Sequence, residues 1–109
     1  MLSNFYPGTT KAFSLRIALN GQTPDITADV VTLRLKKTPE LSDSAAALTA
    51  VADVTTSGVN GVALFSLSPA ETKIEVGAYY YDIVWERQGG DEYVVLNSRI
   101  EVIKRISDA

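Results

Sequence analysis

Apolar residues recur at every second position in run after run of this chain, and that alternation restricts the fold more than any other feature. Successive side chains of a strand point to opposite faces, whereas a helix repeats every 3.6 residues, so period two specifies half-buried strands. In KAFSLRIALNG, Phe13, Leu15, Ile17 and Leu19 alternate with Ala12, Ser14, Arg16 and Ala18. Asn20-Gly21 ends the run with residues that tolerate positive φ. In DITADVVTLRLKKT, Val31, Leu33 and Leu35 are set to face inward and Thr32, Arg34 and Lys36 outward. Pro39 then blocks continuation, because it has no N–H for the ladder.

ELSDSAAALTAVADVTTSG carries two patterns. Ser44 to Ala50 has the alanine content of a short helix. Leu48, Ala50, Ala52 and Val54, however, alternate with Thr49, Val51, Asp53 and Thr55, and a strand is the expectation. GVALFSLS follows with Ala63, Phe65 and Leu67 on one face, and Gly58 and Asn60-Gly61 supply turn chemistry for a hairpin between the two. SPAETKIEVG breaks the alternation. Ser68 can cap a helix with Pro69 at its first position and Glu71 closing a capping box. The segment is too short for a helix stable on its own, so it predicts one helical turn crossing between sheets.

The stretch GAYYYDIVWERQGGDEYVVLNSRIEV reads as a hairpin. Pairing Arg87 with Glu92 across Gln88 to Asp91 sets Trp85 opposite Val94, Ile83 opposite Leu96, Tyr81 opposite Ser98 and Tyr79 opposite Ile100, all on the inward face. The outward face then carries Glu86 with Tyr93, Val84 with Val95, Asp82 with Asn97 and Tyr80 with Arg99. A slip of one residue would mix the two sets, so the apolar pattern selects this register, and a bulge near Gly89-Gly90 is the feature that could shift it. The sum is an all-β chain: an antiparallel immunoglobulin-like β-sandwich of six to seven strands with one short helical turn, a small barrel being the alternative.

The 109 residues are the size of one domain, spanning 1–109. Cysteine and histidine are both absent, which removes disulfides, thiolate sites and the commonest metal ligand. The net charge is −3 and the basic residues are scattered, densest in RLKK (Arg34 to Lys37), so nucleic acid is not an expected partner. No run approaches the roughly 20 apolar residues of a membrane span. The opening MLSNFYPGTTKAF lacks the basic start and apolar core of a secretory leader, which predicts synthesis in a cytoplasm.

In order along the chain come PGTTKAFSLRI, DITADVVTLRLKK, GVALFSLSPAET, GAYYYDIVW and EYVVLNSRIEVIKRIS. This order resembles the small immunoglobulin-like proteins and modules encoded by tailed bacteriophages and prophages, among them the N-terminal module of phage baseplate upper proteins. The shared elements are an Asp-Leu-Thr type lead, here Asp25-Ile26-Thr27, a Ser-x-x-Glu-Thr crossing turn at Ser68 to Thr72, and a Gly-x-Tyr-x-Tyr-Asp-Ile strand at Gly77 to Ile83. The resemblance covers nearly the whole chain, though each motif taken singly is ordinary in β-proteins. It implies a virion-associated structural role, made in the host cytoplasm, with other phage structural proteins or a second copy as partner.

Enzymatic chemistry has little to stand on. Asp82 and Glu86 share a strand face roughly 13 Å apart, beyond the about 5–9.5 Å of paired glycosidase carboxylates. Asp82 reads instead as a partner for Arg99. GGDE (Gly89 to Glu92) could hold a calcium ion with other oxygens, but hairpin turns are often acidic and a plain turn is the expectation; no base stands ready for a nucleophile. The expectation is therefore no catalytic residue, no metal and no cofactor. Tyr79, Tyr81 and Trp85 read as core. Tyr80 is left over, and with Asp82, Val84, Val95 and Arg99 it makes the candidate protein interface, unless the Phe5-Tyr6 arm folds across it. Two functions fit: a structural assembly module of a phage tail or baseplate, or a carbohydrate-binding or adhesion module, for which such sandwiches are also used.

Overall fold

The computed structural model describes residues 2–104 and 106. Its strands are β1 (Lys11–Arg16), β2 (Val30–Lys36), β3 (Leu48–Val51), β4 (Val62–Leu67), β5 (Gly77–Glu86) and β6 (Glu92–Val102), with one helical turn, α1 (Pro69–Thr72). They form two antiparallel sheets, β1-β4 and β3-β2-β5-β6, in an all-β sandwich. Alternation places the core: Leu33, Leu35, Ala63, Leu67 and Ile83 have no exposed surface, and Phe65 is buried while Ser66 is exposed. Phe13 lies opposite Phe65 in the β1–β4 pair, and their rings stack with centroids 4.8 Å apart. Leu48, Ala50, Ala52 and Val54 are all buried, so the strand pattern prevails over alanine content; 3₁₀ turns form at Asp43–Ala45 before it and at Gly58–Asn60 after it.

The expected hairpin between β3 and β4 does not form. β3 pairs with β2, β4 pairs with β1, and one bridge, Asp53 to Leu64, joins them. The chain changes sheets there because Asp53 organises the turn. Its Oδ1 accepts from the Thr55 amide and hydroxyl, both at 2.9 Å, and its Oδ2 accepts from the Thr56 hydroxyl at 2.7 Å. Gly61 completes the crossing with φ of 75° and lies where a Cβ would come 3.0 Å from the Ile17 carbonyl oxygen, so both conformation and space call for glycine. Asp25 makes a second turn of the same kind, accepting from the Thr27 amide and hydroxyl and leading the buried Ile26 inward.

α1 has the capping box expected from its sequence: the Glu71 amide donates to Ser68 Oγ, and the Ser68 amide donates to Glu71 Oε1. The N-terminal arm is ordered and turned inward. Leu2 and Phe5 are buried in the core, the Phe5 amide donates to the Glu101 carbonyl, and the Ile103 amide donates to the Phe5 carbonyl. The arm thus adds a parallel rung to the end of β6 and does not fold across Tyr80.

The β5–β6 hairpin follows the expected register from Tyr79–Ile100 to Ile83–Leu96 and then departs from it. A bulge between Ile83 and Val84 shifts the remaining pairs to Val84–Val94, Trp85–Tyr93 and Glu86–Glu92. Trp85 therefore meets Tyr93, with ring centroids 5.1 Å apart, and not Val94. The buried indole N–H donates to Asp29 Oδ2 at 2.8 Å. Asp29 Oδ1 accepts the Gln88 amide at 3.0 Å, and the Arg87 guanidinium sits 4.9 Å over the Trp85 ring. The irregularity thus lies inside the ladder and not at Gly89-Gly90.

The hydrogen bonds from Thr56 and Thr55 hold the Asp53 carboxyl down at about 2, against an ordinary value of 3.8. The folded state therefore favours the carboxylate. This contribution is fully present above pH of about 4 and is lost as the pH falls through 3.8 toward 2. Asp53→Asn removes that titration, so urea midpoints measured from pH 5 to 2 should fall less steeply for the variant than for the wild type. Equal slopes would contradict this role for Asp53.

Candidate protein interface

The core side of the β3-β2-β5-β6 sheet is filled, and its other side is open. Cross-strand pairing arranges that outward face in five rows, the last of them Ala78 with Glu101. At the hairpin-tip end stand Val30, Glu86 and Glu92. Next comes a β-branched row crossing all four strands, Val51, Thr32, Val84 and Val94. The third row is Thr49, Arg34, Asp82 and Asn97, and the fourth is Lys36, Tyr80 and Arg99.

Three of the five residues expected at an interface come together here as the alternation implied. Tyr80 is 41% exposed, Arg99 holds its guanidinium 5.6 Å over the Tyr80 ring, and Asp82 lies in the adjoining row. The expected Asp82–Arg99 ion pair is not made; among the described residues neither side chain forms one, and Arg99 takes the aromatic face instead. With Arg34, Lys36 and Pro39 these residues line a groove of about 540 Å³. The loop after β2 forms one wall. Lys36 Nζ donates to the Leu41 carbonyl and to Asp43 Oδ1, both at 2.9 Å, and Arg34 lies 3.8 Å from Asp43. The Lys36 hydrogen bond, together with the charges of Arg34 and Lys36, holds the Asp43 carboxyl below its ordinary value.

The other two residues do not form the exposed strip expected of them. Val84 is on the outward face but buried, at 8%, because it sits in mid-sheet with a strand on each side. Val95 is the residue displaced by the bulge; it packs against the core and is not part of the strip. Val94 takes its outward place with 60% exposure, and Val51 at the other end of the row is 65% exposed. Val94 escapes the sequence because the adjacent valines Val94 and Val95 make either register apolar, and Val51 because its place in the row depends on β3 pairing with β2. The preference of Trp85 for an aromatic partner across the strand was the available clue.

A second hollow, of about 440 Å³, lies at the hairpin tip between Asp25, Thr27, Asp29, Arg87 and Asp91. Among the described residues no three acidic, histidine or cysteine side chains converge as metal ligands would, and no helix is long and apolar enough to cross a membrane. Neither known protein families, nor curated proteins, nor solved structures give a match to this chain.

The bulge makes opposite forecasts for two neighbouring valines. Val84→Arg forces a charge into a buried position and should lower stability by more than about 2 kcal/mol. Val94→Arg should stay within about 0.5 kcal/mol of the wild type. Urea titrations of both variants decide the matter, and the reverse order would put the bulge in the wrong place.

Proposed function

We propose that this chain is a non-catalytic structural module of a bacteriophage or prophage particle, associated with the tail or baseplate. It works by docking the outward face of its four-stranded sheet onto another protein. The observation that carries this reading is the row from Val51 to Val94, exposed at both ends and bordered on each side by charged residues. Scattered exposed apolar residues are normal on a monomer, but this β-branched row crosses the whole sheet, closed in the middle at Thr32 and Val84 and open at its valine ends, and its charged rim is a feature of contact surfaces. Tyr80 under Arg99 adds the residue types that most often anchor such contacts. The setting rests on the order of immunoglobulin-like motifs along the chain, which resembles the phage modules, and virion association with synthesis in the host cytoplasm goes with it.

The non-catalytic reading follows from the residue inventory, which offers no histidine or cysteine to serve as base or nucleophile. The groove favours a second reading, a carbohydrate-binding or adhesion module, because an aromatic ring beside Asp82, Asn97 and Arg99 is a surface a sugar can use.

Capture experiments against the purified proteins of the same particle separate the two. Docking predicts that one particle protein is retained by the wild type and reduced at least tenfold by Val94→Arg. The glycan reading predicts retention on a glycan array that Tyr80→Ala abolishes and Val94→Arg leaves intact. Equal capture of particle proteins by the wild type and Val94→Arg would overturn docking through this face.

A further inference from the structure

We propose that the occupant of this face is a second copy of the chain, packed sheet on sheet with its strands antiparallel to those of the first. The inference rests on the docking reading and deepens it by naming the partner. Its basis is the charge polarity of the face. The row at the hairpin-tip end carries two acids, Glu86 and Glu92, and the fourth row carries two cations, Arg99 and Lys36, the latter also paired with Asp43, ahead of a last row of Ala78 and Glu101. Arg99 has no ion-pair partner among the described residues, and Glu86 and Glu92 likewise have none.

Two copies related by a two-fold axis lying in the contact plane can stack in two ways. If the axis runs along the strands, each row meets itself: over β5 this sets Glu86 on Glu86 and Lys36 on Arg99, and over the sheet midline it sets Arg34 on Asp82 but leaves Glu92 and Arg99 facing nothing. If it runs across the strands, between the Thr32–Val84 row and the Arg34–Asp82 row, the acidic row of each copy meets the basic row of the other. Glu92 of one copy then lies over Arg99 of the second, and Glu86 lies over Tyr80 between Lys36 and Arg99. The two valine rows come side by side around the axis and cover Val51 and Val94. The antiparallel stack is the one that pairs Glu92 with Arg99, the charges left without a partner inside one copy, and charge favours it on that ground.

Aligned packing of this kind is also what two twisted sheets do when apolar faces meet. The footprint is small, about 15 by 20 Å between the outermost backbones at ordinary strand and residue spacings. That is about 300 Å² per copy, below the usual size of specific interfaces, so the dimer is weak and depends on concentration.

Sedimentation equilibrium of the full chain from about 5 to 500 µM tests this. The wild-type mass should rise from 11.8 kDa toward twice that value. Glu92→Arg and Arg99→Glu should each weaken association at least tenfold, and the double variant should return to within about threefold of the wild type. A role in folding alone would not give such rescue. A wild type that stays at 11.8 kDa throughout overturns the inference, as does a double variant no stronger than either single one. If the chain is monomeric but a particle protein is still captured and lost with Val94→Arg, the docking reading stands and the second copy is refuted. Monomeric protein with capture unaffected by Val94→Arg refutes both.

Discussion

The indole N–H of Trp85 is buried near the hairpin end of β5, where a donor without an acceptor is costly, and its partner is the carboxylate of Asp29. That contact fixes more than one side chain. Asp29 also accepts the Gln88 amide, so the start of the β5–β6 loop is tied to the chain just before β2. With the indole held there and Arg87 over its face, Tyr93 packs beside it from β6. An unbroken ladder from Ile83–Leu96 would put Val94, not Tyr93, opposite Trp85. One extra residue in β6 is therefore the geometric condition of the aromatic contact, and the bulge supplies it. The same extra residue turns Val95 toward the core and sends Val94 outward to complete the row on the open face. Core and proposed surface are two consequences of one local irregularity.

The rest of the architecture keeps the two sheets together and limits the wrong kinds of association. The turns at Asp25 and Asp53 each use a carboxylate to gather the amide and hydroxyl of the threonine two residues on. Gly58 lies against Thr27, with the Ile26 amide donating to its carbonyl, so the loops before β2 and β4 pack on each other. β6 is an edge strand, and an unprotected edge invites pairing with other chains. Here the arm at Phe5 covers its last residues, and the bulge interrupts the remainder. A flat continuation of the sheet is thereby disfavoured, while the face of the sheet remains accessible.

The alternating segments were legible because burial on one side is written at every second position: the inward residues of β2, β4 and the first half of β5 follow it directly. Tyr80, Asp82 and Arg99 could be placed for the same reason, since a side chain one position away from core is outward in any register. What could not be read was whatever depends on a contact between distant segments. Asp29 sits in a loop and carries no pattern of its own. The β3–β4 crossing has the same glycine and asparagine vocabulary as a hairpin, and only the Asp53 hydrogen bonds to Thr55 and Thr56 separate the two. Leu2 and Phe5 lie outside any strand, so periodicity could not count them as core. Val95 follows from the sequence only if the ladder is continuous, and the Val94-Val95 pair offers no polar residue to reveal the slip.

The central claim is that β6 bulges beside Trp85, and its most direct test is the pattern of cross-strand proton contacts measured by NMR. The account predicts contacts from Ile83 to Leu96, then from Val84 to Val94 and from Trp85 to Tyr93. A continuous ladder in which Trp85 contacts Val94 across the strand and Arg87 contacts Glu92 would contradict it.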